Sequence, residues 1–140
     1  MQIQSITGWQ DHIQAGSRYL KTASNGLSRR AVFNNELIFQ LAAMAIEKLM
    51  VGVCQYHRQM PTDHTLSGLV EALSEVCPID AELADMIRRI ADIDDMCALT
   101  PVHRKPPGDL DIQTILIVGH ELACFAKQNV PWEDGGLAAA

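Results

Sequence analysis

A chain of 140 residues with 17 acidic against 11 basic side chains, net charge -6 with histidine neutral, fits one domain. That balance works against sequence-independent nucleic-acid binding, which needs many phosphate-neutralising Lys and Arg side chains. Cys54, Cys77, Cys97 and Cys124 stand among apolar neighbours without a CxxC pair, so reduced core cysteines are expected rather than a disulfide framework or structural metal. Residues 1–6 lack the basic-then-apolar order of a targeting peptide. The apolar run 37–46 meets Glu47 and Lys48 before reaching the roughly 20 residues that span a bilayer. The reading is a soluble, cytoplasmic chain with no membrane partner.

In chain order, Thr7 and Gln10 have capping-box spacing and predict a first helix that stops at Gly26. Trp9, Ile13, Gly16, Leu20 and Ala23 form its apolar stripe, which Leu27 continues past the stop. Gly16 weakens this helix but lets another helix approach closely. Arg18 and Lys21 lie off the stripe and are expected in solvent.

Residues 34–58 predict the central helix, capped by Asn34 or Asn35, about six turns long and closed by Pro61. Its faces are apolar or small almost all round: Leu37, Ile38, Leu41, Ala42, Ala45, Leu49 and Gly52 on one side, Phe39, Ala43, Ile46, Met50 and Val53 on another. Such a helix is expected to be enclosed by neighbours. Residues 59–63 follow as a tight loop.

Asp63 is the expected cap of a third helix with Leu66, Leu69, Val70, Leu73 and Val76 at helical spacing. After Pro78, Asp80 caps a fourth helix with the stripe Leu83, Ile87, Ile90 and Met96, and Asp92, Asp94 and Asp95 form a solvated face. Pro101, Pro106, Pro107 and Gly108 make 100–109 irregular, with His103, Arg104 and Lys105 as a basic triplet. A fifth helix is expected from about Asp111 to Gln128, buried in the bundle or in a partner, with Pro131 ending it. The whole reads as a single all-α domain over 1–140, with a core at about 7–130 and a loose tail at 133–140.

Little recognisable chemistry is written into the chain. A di-iron carboxylate bundle needs Glu-x-x-His pairs on facing helices, and none occurs. Cys54 with His57, or His120 with Cys124, can share a helix face, but nothing fixes a third and fourth zinc ligand. No metal or other cofactor is expected. There is no GxxxxGK, GxGxxG or GxSxG. The remaining polar candidates are Glu47 with Lys48, the segment from Arg58 to His64, and Arg104.

At these residues the sequence resembles the HEPN domain family, small all-helical domains associated with nucleotide and RNA processes. The resemblance starts at SRYLKTASNG and is best over FNNELIFQLAAMAIEKLMVGV and DHTLSGLVEAL. Ala45, Ile46, Glu47 and Lys48 match an A-x-E-K-like segment of a long helix, and His64, Thr65 and Leu66 match a helix-opening histidine followed closely by leucine. Arg104 is the nearest counterpart of an arginine in the loop before the last helix. The match covers about Trp9 to Gln128.

The resemblance implies an up-and-down four-helix bundle with an additional short helix, homodimerisation, and a nucleotidyltransferase-type partner, as in toxin-antitoxin systems. It also implies a non-catalytic ligand pocket formed by Glu47, Lys48, Arg58, His64 and Arg104, for a nucleotide, RNA or another phosphate-bearing ligand. Some members are metal-independent ribonucleases with an Arg and a His four to six residues apart. Arg58 and His64 have that separation, giving an alternative in which His64 is the general base and Arg58 stabilises the phosphorane. A third reading is a helical adaptor that docks its fifth helix on another protein.

Overall fold

A computed structural model describes the backbone of residues 4–97 and 106–132, with side chains over 8–94 and 106–132. The described chain is all-helical: α1 (Gln4–Asn25), a 3-10 turn (Gly26–Ser28), α2 (Asn35–Tyr56), α3 (Leu66–Val76), α4 (Ala81–Cys97) and α5 (Asp109–Asn129). α2 packs against α1, α3 and α5, while α4 packs against α3 and α5.

α1 is already helical at Gln4, so Thr7 lies inside the helix and does not cap it. Trp9, Ile13, Leu20 and Ala23 turn inward, as the stripe requires; Leu27 is 48% exposed and leaves the core. Two glycines set the separation of α1 and α2. A Cβ on Gly16 would stand 2.8 Å from Leu49 Cγ and 3.1 Å from the Ala45 carbonyl oxygen, and one on Gly52 would stand 2.7 Å from Ile13 Cδ1. These separations are too short for a real side chain, so each helix fits where the other lacks one. At the end of α1, Phe33 fills the space beside Gly26, 2.8 Å from where a Cβ would be.

Asn34 is the cap of α2, its Oδ1 accepting from the Leu37 N–H at 2.8 Å. Asn35 accepts from Arg30 and donates to the Pro107 carbonyl and Asp109 Oδ1. It thereby ties the preceding connection to the start of α5. At the other end, Pro61 is not what closes the helix. The Arg58 N–H donates to the Gln55 carbonyl at 2.9 Å and the Gln59 N–H to the Cys54 carbonyl at 2.8 Å, a Schellman closure in which Arg58 takes φ 64°.

Ile38, Phe39, Ile46, Leu49 and Met50 are fully buried, but Leu37, Met44 and Tyr56 are 36%, 38% and 40% exposed. The expected enclosure of α2 on every side therefore fails, because α3 has only 11 residues and leaves much of the longer helix uncovered. By length and composition α2 could cross a membrane, yet 67% of its most apolar window is buried inside the protein. That is the environment of a core helix.

Thr65, not Asp63, caps α3: its Oγ1 accepts from the Gly68 N–H at 3.1 Å. Asp80 does cap α4, with one carboxylate oxygen accepting from the N–H groups of Glu82 and Leu83. Leu83, Ile87 and Ile90 are buried as expected; the side chains of Asp95 and Met96 lie outside the described residues. α5 begins at Asp109, with Asp111 Oδ2 accepting from the Gly108 N–H at 2.9 Å. Within its apolar run Ile115, Leu116 and Val118 are buried, whereas Ile117 is 51% exposed.

Contacts along the helices fix their directions. Gly8 lies by Gln55 and Gly16 by Ala45, so α1 is antiparallel to α2. Asn35 meets Asp109 and His57 Nε2 meets the Asn129 carbonyl at 3.1 Å, so α5 is parallel to α2. After α2 the chain returns to the level of Glu47, where His64 opens α3. It then runs back until Glu75 meets Gln59, so α3 also follows the direction of α2. Arg88 to Glu71, with Ala91 and Asp94 beside the first turn of α3, makes α4 antiparallel to α3.

Candidate functional site

The return of the chain after α2 creates a groove of about 360 Å³ between α2, the first turn of α3 and the later part of α4. α2 supplies Gln40, Met44 and Glu47, spaced so that they share one helix face. α3 contributes its opening residues His64 to Ser67, and α4 contributes Ala91 and Asp94.

His64 is held by the turn that starts α3. Asp63 Oδ1 accepts from the Thr65 N–H at 2.9 Å and from the Thr65 hydroxyl at 2.7 Å, while the same hydroxyl oxygen caps Gly68. The hydrogen bond from the Thr65 backbone, then that from its side chain, holds the Asp63 carboxyl below the usual aspartate range. His64 is thus pinned between two residues that bond each other. Its Nδ1 lies 3.7 Å from Glu47 Oε2, with side-chain exposures of 54% and 36%. That is an ion-pair separation when the imidazole is protonated and too long for a good hydrogen bond. The exposure makes it a weak contributor to stability.

The groove carries groups of both signs. Glu47 and Asp94 bring carboxylates. Beside Glu47 stand His64 and the start of α3, where the backbone N–H groups of Leu66 and Ser67 precede the first intrahelical bond and have no helical acceptor. A phosphate fits a helix start of this kind, and an amine, amide or sugar hydroxyl fits a carboxylate.

Of the five residues assigned to a pocket from sequence, Glu47 and His64 meet. Lys48 is half-buried on α2 and does not line the groove, because consecutive helical residues point about 100° apart. Arg58 lies beyond the end of α2, about 13 Å of helix rise from Glu47 to Tyr56 alone. Among the described residues no side-chain bond joins it to His64, whose own neighbour is Glu47. The left-handed backbone of Arg58 serves the helix stop instead. Arg104 lies outside the described residues.

Gln40, Met44, Ser67 and Asp94 were not read from sequence as groove residues. Gln40 carried a signal, as the one polar side chain among the apolar residues from Leu37 to Ile46.

The cysteines divide. Cys54 and Cys77 are buried, while Cys124 is exposed and so is not a core cysteine. Burial first, then the nearby Cys77 and Glu75, pushes the Cys54 thiol up to about 11. Among the described residues no group of three or more His, Cys, Asp or Glu side chains could hold a metal ion. No family model, curated protein or solved structure matched this chain.

Proposed function

We propose that this chain is a HEPN-like helical binding module whose α2–α3 groove takes a nucleotide or another phosphate-bearing ligand. The observation that carries this reading is the meeting of Glu47 and His64, from different helices, at 3.7 Å on the edge of a groove of ligand size. The phosphate sits at the free N–H groups of the first turn of α3, beside the His64 imidazole. Gln40 and Glu47 then accept from the polar groups of the base or sugar, and Met44 offers a polarisable surface to a ring. The family-like arrangement is supported by the long helices α1, α2, α4 and α5, which alternate in direction, with short α3 inserted between them.

A homodimer and a nucleotidyltransferase-type partner belong to the same proposal. Leu110 and Ile117, 76% and 51% exposed and about two turns apart on α5, are apolar surface available to such an association.

The test is calorimetric titration of the protein with a panel of nucleotides and short RNAs. His64→Ala and Glu47→Gln are each expected to weaken the responding ligand roughly tenfold, equivalent to one lost charge-assisted contact. Unchanged affinity in both variants would remove the groove from the proposal.

A further inference from the structure

The outward face of α5 carries a pattern that the groove does not use. Leu110, Ile117 and Cys124 recur at intervals of seven residues, which keeps them within about 40° of one another around a straight helix. All three are exposed, while Ile112, Ile115 and Leu122 turn the other way into the core. Free cysteine is among the most buried residue types, so its place on one seam with an exposed leucine and isoleucine marks a surface suited to being covered. Gln113 and Glu121 lie along the same seam, also exposed. His120 borders it on the α1 side, its Nε2 3.0 Å from Ser24 Oγ.

The seam is chemically symmetric about Ile117. Seven residues before it stands Leu110 and seven after it Cys124; four before it stands Gln113, an amide donor, and four after it Glu121, a carboxylate acceptor. A two-fold interface requires that where one residue meets a second, the second also meets the first. With the axis at Ile117 and the helices antiparallel, Leu110 meets the partner's Cys124, Gln113 meets the partner's Glu121, and Ile117 meets its own copy. A parallel pairing would instead set Glu121 against itself, whereas the antiparallel one holds the two carboxylates about 12 Å apart along the axis. It also lays the acidic first turn of α5, with Asp109 and Asp111, beside the partner's basic last turn, which carries Lys127, and it opposes the helix dipoles.

We propose that the outward face of α5 receives a second copy of this chain: the two helices pair antiparallel along Leu110, Ile117 and Cys124, with the two-fold axis at Ile117. The inference rests on the homodimer included in the reading above and names its surface and register. It uses no residue of the α2–α3 groove, so ligand binding there is a separate claim. From Leu110 to Cys124 the seam runs about 21 Å at 1.5 Å per residue. Such a length lies at the low end of stable interfaces, and association in the micromolar range follows.

The experiment is analytical ultracentrifugation of the whole protein from low micromolar to near-millimolar concentration, joined to crosslinking. The wild type is expected to pass from monomer to dimer, and Ile117→Glu, which sets like charges on the axis, to stay monomeric with its helical circular dichroism unchanged. Gln113→Glu should weaken the dimer roughly tenfold by facing the partner's Glu121, and adding Glu121→Lys to the same chain should restore it. With bismaleimidoethane, Leu110→Cys should yield a dimer linked from position 110 to the partner's Cys124, identified by peptide mass spectrometry. The wild type should give no link between two Cys124 side chains, which antiparallel copies hold about 21 Å apart. A monomer at every concentration would overturn both this surface and the homodimer of the reading above. A dimer that persists in Ile117→Glu would overturn the surface alone, and a Cys124-to-Cys124 link, or no rescue by Glu121→Lys, would overturn the antiparallel register.

Discussion

The two sides of α2 obey different rules. Against α1 it is locked: Gly16 and Gly52 receive Leu49 and Ile13 at distances that no Cβ tolerates, and Ala45 and Leu49 are fully buried. Toward α3 and α4 it is open, with Gln40, Met44 and Glu47 lining a groove and the Glu47–His64 pair half in solvent. One helix thus contributes both the core and the candidate site. Substitutions on the first side should change stability, and substitutions on the second should change binding.

The strongest way to break that comparison is Leu49→Ala, expected to cost about 2–5 kcal/mol in denaturant unfolding, against a change within about 0.5 kcal/mol for His64→Ala. Equal losses would mean that the groove is as structural as the core. Gly52→Ala comes next. Its gain in helix propensity is about 1 kcal/mol, but the added methyl meets Ile13 at 2.7 Å and the Trp9 carbonyl at 3.1 Å. Overpacking typically costs about 1–3 kcal/mol, so a net loss is expected, read as a lower denaturant midpoint.

Thr65→Ala joins the two sides, since Thr65 both caps α3 and positions His64. A loss of about 1 kcal/mol is expected, together with weaker ligand binding at the groove. Arg58→Gly should move stability the other way, by about 0.5–1 kcal/mol, because glycine adopts φ 64° without the steric cost of a side chain. A decrease instead would give the Arg58 side chain a structural role that its backbone conformation does not imply.

The smallest effects concern titration. Asp63 has a depressed folded-state pKa, so its contribution is present above the usual aspartate value near about 3.9 and disappears as pH falls through the lower folded value. Asp63→Asn should flatten the acid limb of a stability profile below roughly pH 4. Cys54 has the opposite sign: its thiol is raised to about 11, so its contribution is complete below the usual thiol value near about 8.5 and is lost as pH rises through the folded value. With a thiol reagent at neutral pH, peptide mapping should find Cys124 labelled in the native protein and Cys54 and Cys77 only after unfolding.

Much of the scaffold was legible because its causes are local. The spacing of Trp9, Ile13, Leu20 and Ala23, the Asn34 and Asp80 caps, and the placing of Pro78, Pro107 and Pro131 between or after helices act over a turn or two of chain. Where two local signals competed, the reading failed. Asp63 and Thr65 both resemble caps, and only the side-chain geometry assigned the cap to Thr65 and the supporting bond to Asp63. Pro61 looked like the end of α2, but backbone bonds from Arg58 and Gln59 close the helix earlier.

The sequence by itself determined an all-helical chain with α2 at its centre, since helical periodicity and side-chain size are properties of neighbouring residues. Tertiary structure alone decided which polar groups meet. Glu47 faces His64 because the chain doubles back after α2, while Lys48, one residue further on, is turned away from the groove. Ser24 and His120 meet because Gly119 lets α5 approach Leu20. Such encounters depend on loop paths and on packing between distant segments, which no short-range pattern records.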